Sequence, residues 1–150
     1  MKLDTDSLTL TEIIQLQTQL SQTLQRRFEK QLALCFTDVA GSTQYFARYG
    51  DEAGRRLTQR HIDLLSAVLP KAEGRIVDTA GDGAFTCFPK VELARQAMVE
   101  LQQSIMRDNF LFSRDQQLSV RCGIHHGPVL TDGTVVTGDS VNLCARVTAA

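Results

Sequence analysis

The first thirty residues carry an apolar stripe at helical spacing. In LTLTEIIQLQTQLSQTLQRRFEKQ no Gly or Pro interrupts the pattern, and apolar side chains recur every three or four residues: Leu10, Ile13, Ile14, Leu16, Leu20, Leu24 and Phe28. We predict an amphipathic helix or linker over residues 1–30, capped by Thr9 or Thr11. Because one such stripe buries too little area to fold alone, it packs either on the following domain or on another helix, and the sequence favours neither.

From residue 31 onward, short apolar blocks alternate with long amphipathic ones. QLALCFTD predicts a buried strand, residues 41–71 predict a long helix, and GRIVDTA and AFTCF predict two strands joined by a tight Gly-Asp-Gly turn. Residues 90–109 predict a helix, SVRCGIHHG and GPVLTDG two strands, and residues 139–150 a last helix. This order predicts an α+β domain over residues 31–150, with a ferredoxin-like βαββαβ layout and helices covering an antiparallel-containing sheet.

Composition narrows the functional classes. Hydrophobic residues make up 43% and charged residues 22% of the 150-residue chain, and its formal charge is −1. That balance provides no electrostatic surface for nucleic acid or for an anionic membrane. No apolar run is long enough to span a bilayer, and the acidic start MKLDTDSLTLTEII is unlike a signal peptide. The four cysteines form no close pair, so we expect reduced structural thiols in a cytoplasmic protein.

Two acidic residues stand where strands end. Asp38 closes the first predicted strand, and Asp82 lies between two glycines at the tip of the predicted hairpin. If the strands before them are neighbours, both carboxylates project from one sheet edge, and hard oxygen ligands on one edge suit Mg²⁺ or Mn²⁺. Taken singly, Asp38 is more simply a helix cap and Asp82 a turn former.

Two further features suit phosphoryl transfer. Gly41 and Ser42 are small, so amides at the start of the following helix are open to a phosphate. Asn142 and Arg146 lie four residues apart, on one face of the last predicted helix, within an apolar segment. An Asn that orients a sugar and an Arg that neutralises a phosphate would fit that chemistry, although considered alone they are a surface pair.

Four segments together are specific. FTDVAGST, GRIVDTAGDGAFTCF, VRCGIHHGPV and TGDSVNLCARV occur in the order typical of the catalytic domain of class III nucleotidyl cyclases, which residues 31–150 resemble. The resemblance implies a fold like that of polymerase palms, a head-to-tail homodimer and active sites at its interface. It implies an enzyme that converts a nucleoside triphosphate to a 3′,5′-cyclic nucleotide and pyrophosphate, by attack of the ribose 3′-hydroxyl on the α-phosphorus.

The resemblance also implies residue roles. Asp38 and Asp82 would bind two Mg²⁺ or Mn²⁺ ions, with the Val39 carbonyl assisting one of them. Asn142 and Arg146 would act from the other subunit, on the ribose and on the transition-state charge. The β- and γ-phosphates would be held by the backbone of Val39, Ala40, Gly41, Ser42 and Thr43. No such role falls to His61, which we expect to pack on the sheet, or to the adjacent histidines 125 and 126.

Two departures affect substrate and activity. Adenylyl cyclases of this family usually carry Lys four residues before the second metal Asp, and guanylyl cyclases carry Glu; here the residue is Asp78. Asp78 favours base-edge donors such as those of guanine, while the second specificity position, Val135, neither donates nor accepts. Family frequency favours ATP, GTP is supported by Asp78, and a pyrimidine nucleotide stays open.

The second departure concerns the end of the chain. The last helix stops at Ala150, where family domains continue with further strands, so we expect a C-terminally truncated catalytic domain. A catalytically silent cyclase-homology module that binds nucleotide or dimerises for signalling is therefore the alternative function.

Overall fold

A five-stranded antiparallel sheet forms the centre of the fold. The computed structural model describes residues 1–149. Its main elements are α1 (Leu10–Phe28), β1 (Glu29–Val39), α2 (Ser42–Tyr49), α3 (Asp51–Val68), β2 (Arg75–Ala80), β3 (Gly83–Phe88), α4 (Val91–Asn109), β4 (Val120–Thr131), β5 (Val136–Thr137) and α5 (Asp139–Ala149). The strand order is β2-β3-β1-β4-β5, and each neighbouring pair is antiparallel. The predicted α+β fold, with an antiparallel sheet and covering helices, is confirmed.

The central strand β1 separates two apolar cores. Because side chains alternate along a strand, Ala33 and Cys35 face the larger core, which α3 and α4 complete, while Leu34 faces a smaller core that includes Cys144 of α5. All of these side chains are fully buried. The same alternation places Asp38 on the α5 side of the sheet and Thr37 on the α3 side.

Two glycines let α5 lie directly against β4. A Cβ at Gly123 would lie 2.6 Å from the Cα and N of Thr148, and a Cβ at Gly127 would lie 2.5 Å from the Ser140 Oγ. Four strand residues and eight helix residues each span about 12–13 Å, so the two contacts occur in step along antiparallel elements. The helix α5 can therefore approach β4 this closely because both strand positions are glycine.

Two predicted elements differ from those observed. The predicted helix over residues 41–71 is divided at Gly50, whose φ of +89° ends α2 and precedes α3. The two strands predicted over residues 119–133 are one continuous strand, β4, which pairs with β1 from Val120 to Leu130. Gly127 and Pro128 resembled a break, but here Gly127 makes room for α5 and Pro128 lies exposed within the strand.

The N-terminal helix leaves its apolar stripe uncovered. Thr9 caps α1 in a capping box with Glu12, as one of the two predicted caps. No residue of α1 is buried, and Leu10, Ile14 and Leu20 are 75%, 53% and 56% exposed. Within residues 1–149, no helix is long and apolar enough to cross a membrane.

Candidate functional site

Asp38 and Asp82 come together at one cavity. Asp38 is the penultimate residue of β1 and stands opposite Gly83 in the β1–β3 register. Asp82 directly precedes Gly83 in the turn of the β2–β3 hairpin. Both side chains line a cavity of about 680 Å³ between the sheet and α5. The fold thus joins two acids that are 44 positions apart in the sequence.

Ser42 and Thr43 of the Gly-Ser turn line a separate pocket that also contains Asp82. The Ser42 hydroxyl donates a hydrogen bond to the Asp82 carboxylate, so the start of α2 is tied to the hairpin tip. Gly41 has φ of +71°, a left-handed conformation that favours glycine. The amides of Ser42 and Thr43 open α2, where no helical carbonyl precedes them. The Ala40 amide, in contrast, already donates to the Ser119 carbonyl at 2.8 Å, so the open donors begin after it.

A cation that sequence reasoning missed contacts the first acid. Arg121 of β4 stands opposite Asp38 in register and donates to both carboxylate oxygens, Nε to Oδ1 at 2.8 Å and Nη2 to Oδ2 at 3.0 Å. The hydrogen bonds to Asp38 raise the pKa of the Arg121 guanidinium. The Arg121 side chain is 53% exposed and the Asp38 side chain 28% exposed. An ion pair in contact with water is weak, so a ligand can displace the guanidinium from Asp38. Only the strand register could have revealed this partner.

The two predicted specificity residues line the same cavity. Asp78 on β2 and Val135, before β5, both contribute to its wall, which is otherwise largely apolar: Phe36, Val77, Phe85, Val136, Val141 and Ala145. One oxygen of Asp78 accepts a hydrogen bond from the Thr79 amide at 2.8 Å, which leaves the other oxygen available to a ligand. Val135 is 57% exposed. The wall fits a flat apolar group with one polar edge.

Asn142 and Arg146 do not join the two acids within one chain. Both side chains are exposed on α5, and in the described chain the cavity is lined instead by their neighbours Val141 and Ala145. The helix therefore turns one face to the cavity and presents Asn142 and Arg146 outward. A site that uses all four predicted residues would need a second chain.

The acids fit a divalent cation of the magnesium type. Residues 1–149 contain no group of three or more His, Cys, Asp or Glu residues placed to hold a metal. Two carboxylates on one cavity are nevertheless the kind of donor set by which Mg²⁺ is held when phosphates and waters complete its shell. A cation at Asp38 requires Arg121 to release at least one of the carboxylate oxygens it now contacts.

The four cysteines and the two adjacent histidines of β4 do not line this cavity. All four cysteines are free, and burial raises the pKa of the Cys35 thiol far above its usual range. His125 and His126 are adjacent on β4, opposite Leu34 and Ala33 of β1.

Comparison with known proteins adds independent information. The family model for the adenylate and guanylate cyclase catalytic domain matches residues 24–150. The chain is 26% identical over 116 residues to serine/threonine-protein kinase pkn2 of Myxococcus xanthus, covering 77% of this chain and 14% of that protein. It is 25% identical over 117 residues to putative adenylate cyclase 3 of Rhizobium meliloti, covering 78% of this chain and 20% of that protein.

A solved structure agrees with these matches. The adenylate/guanylate cyclase/hydrolase of Silicibacter pomeroyi superposes with a TM-score of 0.70 at 26% identity, covering 81% of this chain and 70% of that one. The chain thus spans a fifth or less of the two curated relatives. The likeness concerns one domain.

Proposed function

Because the chain belongs to the adenylate and guanylate cyclase catalytic domain family, we propose that it converts a nucleoside triphosphate to a 3′,5′-cyclic nucleotide and pyrophosphate. The observation that carries this proposal is the meeting of Asp38 and Asp82 at one cavity, beside the Gly-Ser turn. A triphosphate with its divalent cation needs carboxylates and phosphate-binding donors side by side, and this edge of the sheet offers both.

Each residue at the site has a proposed role. Asp38 and Asp82, with the Val39 carbonyl, would hold two Mg²⁺ or Mn²⁺ ions, which when bound lower the pKa of the ribose 3′-hydroxyl and neutralise phosphate charge. The open amides of Ser42 and Thr43 would bind the β- and γ-phosphates. Ser42 also orients Asp82 through its hydroxyl. The apolar cavity wall would hold the base.

The outward face of α5 supports a head-to-tail homodimer. Asn142 and Arg146 are exposed and lie off the cavity of their own chain. In the proposed dimer they would enter the partner's site, where Asn142 orients the ribose and Arg146 stabilises the transition-state charge. Each site would then combine metal-binding acids from one chain with polar groups from the other.

Substrate choice within the proposal turns on Asp78. Its free carboxylate oxygen can accept a hydrogen bond from guanine N1–H or N2–H, or from an exocyclic amine. Family frequency favours ATP. Val135 adds no polar discrimination at the second position.

A product assay tests the proposal. The protein is incubated with Mn²⁺ and, separately, ATP, GTP, CTP and UTP, and cyclic nucleotide and pyrophosphate are measured. We expect one purine nucleotide to give product, and Asp38→Ala to lower turnover by about 100-fold or more without unfolding the chain. Glu92→Gln is the matched control, because Glu92 is an exposed acid on α4 whose ion-pair partner within residues 1–149 is Arg95. Product from none of the four nucleotides would reject the enzymatic proposal.

A silent cyclase-homology module is the second candidate. The observation that favours it is the ion pair between Asp38 and Arg121, which occupies both oxygens of the first acid. This candidate predicts that Mn²⁺ and nucleotide bind together without turnover, whereas the enzymatic proposal predicts binding and product. Equilibrium binding measured beside the product assay separates the two.

A further inference from the structure

A buried histidine contacts the residue next to the first acid. His61 of α3 is 0% exposed, and its Nε2 makes a 2.8 Å hydrogen bond with the Oγ1 of Thr37, which is 1% exposed. Burial lowers the pKa of His61, so the ring is neutral and one nitrogen carries the proton. The proposed chemistry does not use this residue.

The partner of His61 is the residue next to the first acid. Thr37 and Asp38 are consecutive at the end of β1, with their side chains on opposite faces of the sheet. The Thr37 carbonyl also lies so close to the start of β3 that a side chain at Gly83 would collide with it. A Cβ at Gly83 would lie 2.8 Å from that oxygen. Thr37 is therefore the point at which α3, β1 and the start of β3 meet.

The second ring nitrogen of His61 is buried without a partner within residues 1–149. His61 Nδ1 is buried and has no hydrogen-bond partner among the described residues. Burial lowers the pKa of His61, and the nearby Asp82 and Asp38 oppose that shift only in part. An unpartnered buried nitrogen is costly, so its retention at this point needs a compensating role.

We propose that His61 is a positioning residue that fixes the end of β1 against the hairpin tip and so sets the spacing of Asp38 and Asp82. Its Nε2 holds Thr37, whose carbonyl lies against Gly83 at the start of β3. The inference rests on the proposed function for its purpose, but the positioning itself is measurable without turnover. A side chain that orients metal ligands in this way typically changes metal affinity by about 10-fold or more when it is removed.

The test compares four variants with the parent chain. His61→Leu removes the hydrogen bond, His61→Gln keeps a polar partner for Thr37, and Thr37→Val removes the Oγ1 with little change of shape. Leu65→Val is the matched control. Leu65 is 0% exposed and lies one turn further along the same face of α3, so its replacement by Val removes a methylene group from the same core. Mn²⁺ affinity is measured by titration, and hydrogen exchange of the Asp82 and Gly83 amides is measured without metal.

The expected results separate positioning from packing. His61→Leu and Thr37→Val weaken Mn²⁺ binding about 10-fold and speed exchange at the tip, His61→Gln stays closer to the parent, and Leu65→Val changes neither. If His61→Leu does not fold, the Mn²⁺ affinity and hydrogen exchange of Thr37→Val test the inference alone. Parent-like Mn²⁺ affinity and exchange in Thr37→Val overturn the inference, as does an equal effect of Leu65→Val.

The same experiment keeps the two proposals apart. If the parent forms no cyclic product, the proposed function fails, while exchange at the tip still decides the role of His61. If the parent is active and the variants at His61 and Thr37 bind Mn²⁺ and exchange as the parent does, only the positioning inference fails.

Discussion

A methyl group added at Gly123 would collide with the backbone of α5. In Gly123→Ala the new Cβ would lie 2.6 Å from both the Cα and the N of Thr148. Carbon atoms pack at about 3.5–4.0 Å, so α5 or β4 has to move by about 1 Å at this point. No rotamer change relieves the contact, because two of the nearest atoms belong to the main chain.

The size of the effect follows from that displacement. Overpacking of this kind costs about 1–3 kcal/mol of unfolding free energy. Arg146, which the proposed mechanism places at the transition state, lies two residues before Thr148 on the displaced helix. A shift of about 1 Å at such a group would cost about 100-fold in rate. Asp38 and Asp82 lie outside α5, so Mn²⁺ affinity should stay within about twofold of the parent.

Three measurements on one variant test this reasoning. Urea unfolding gives the stability loss, titration gives the Mn²⁺ affinity, and the product assay gives turnover. Gly127→Ala is the matched comparison, because its nearest neighbour is the Ser140 Oγ at 2.5 Å and Ser140→Ala can relieve that contact. Ser140→Ala should therefore restore part of the stability lost in Gly127→Ala, because the Ser140 Cβ at 3.3 Å and the His125 Nε2 at 3.0 Å remain. A Gly123→Ala chain with parent stability and parent turnover would refute the tight packing of α5 on β4.

Further predictions follow from the acids, the base pocket, the thiols and α1. Asp82→Asn should lower turnover about 100-fold with circular dichroism unchanged, and parent turnover would contradict a role in metal binding. Asp78→Asn should lower the GTP-to-ATP ratio of turnover, because a neutral amide is a weaker acceptor; an unchanged ratio would count against base contact. Cys35, 0% exposed, should resist iodoacetamide at pH 8 in the folded chain, by mass spectrometry, since burial raises its pKa; rapid labelling would show an open core. Leu20→Asp should weaken self-association in analytical ultracentrifugation if the exposed stripe pairs with a second copy, and an unchanged association constant would exclude that pairing.

Local patterns predicted most of the fold. The apolar stripe of α1, the capping role of Thr9 and the Gly-Asp-Gly turn all depend on residues close together in sequence, and all three are present in the structure, although α1 begins only at Leu10. The prediction was wrong at two glycines whose structural role depends on tertiary contacts. Gly127 is needed for the approach of α5, not for a turn, and Gly50 divides a stretch whose apolar spacing is continuous.

The site was predictable to the extent that its groups follow strand ends. Asp38 and Asp82 were expected at one edge, and they line one cavity. The pairing of Arg121 with Asp38 depends on the β1–β4 register. The hydrogen bond from the Ala40 amide to the Ser119 carbonyl depends on the same strand pair. No local pattern contains that register.

The central claim is that Asp38 and Asp82 share one divalent-cation site, and anomalous diffraction from crystals soaked in Mn²⁺ with a nucleoside triphosphate tests it directly. We expect an anomalous peak about 2.1 Å from a carboxylate oxygen of each residue, with at least one Asp38 oxygen released by Arg121. A peak that contacts only one of the two acids would contradict a shared cation site. So would nucleotide bound in the cavity with the Arg121 pair intact and no metal at either carboxylate.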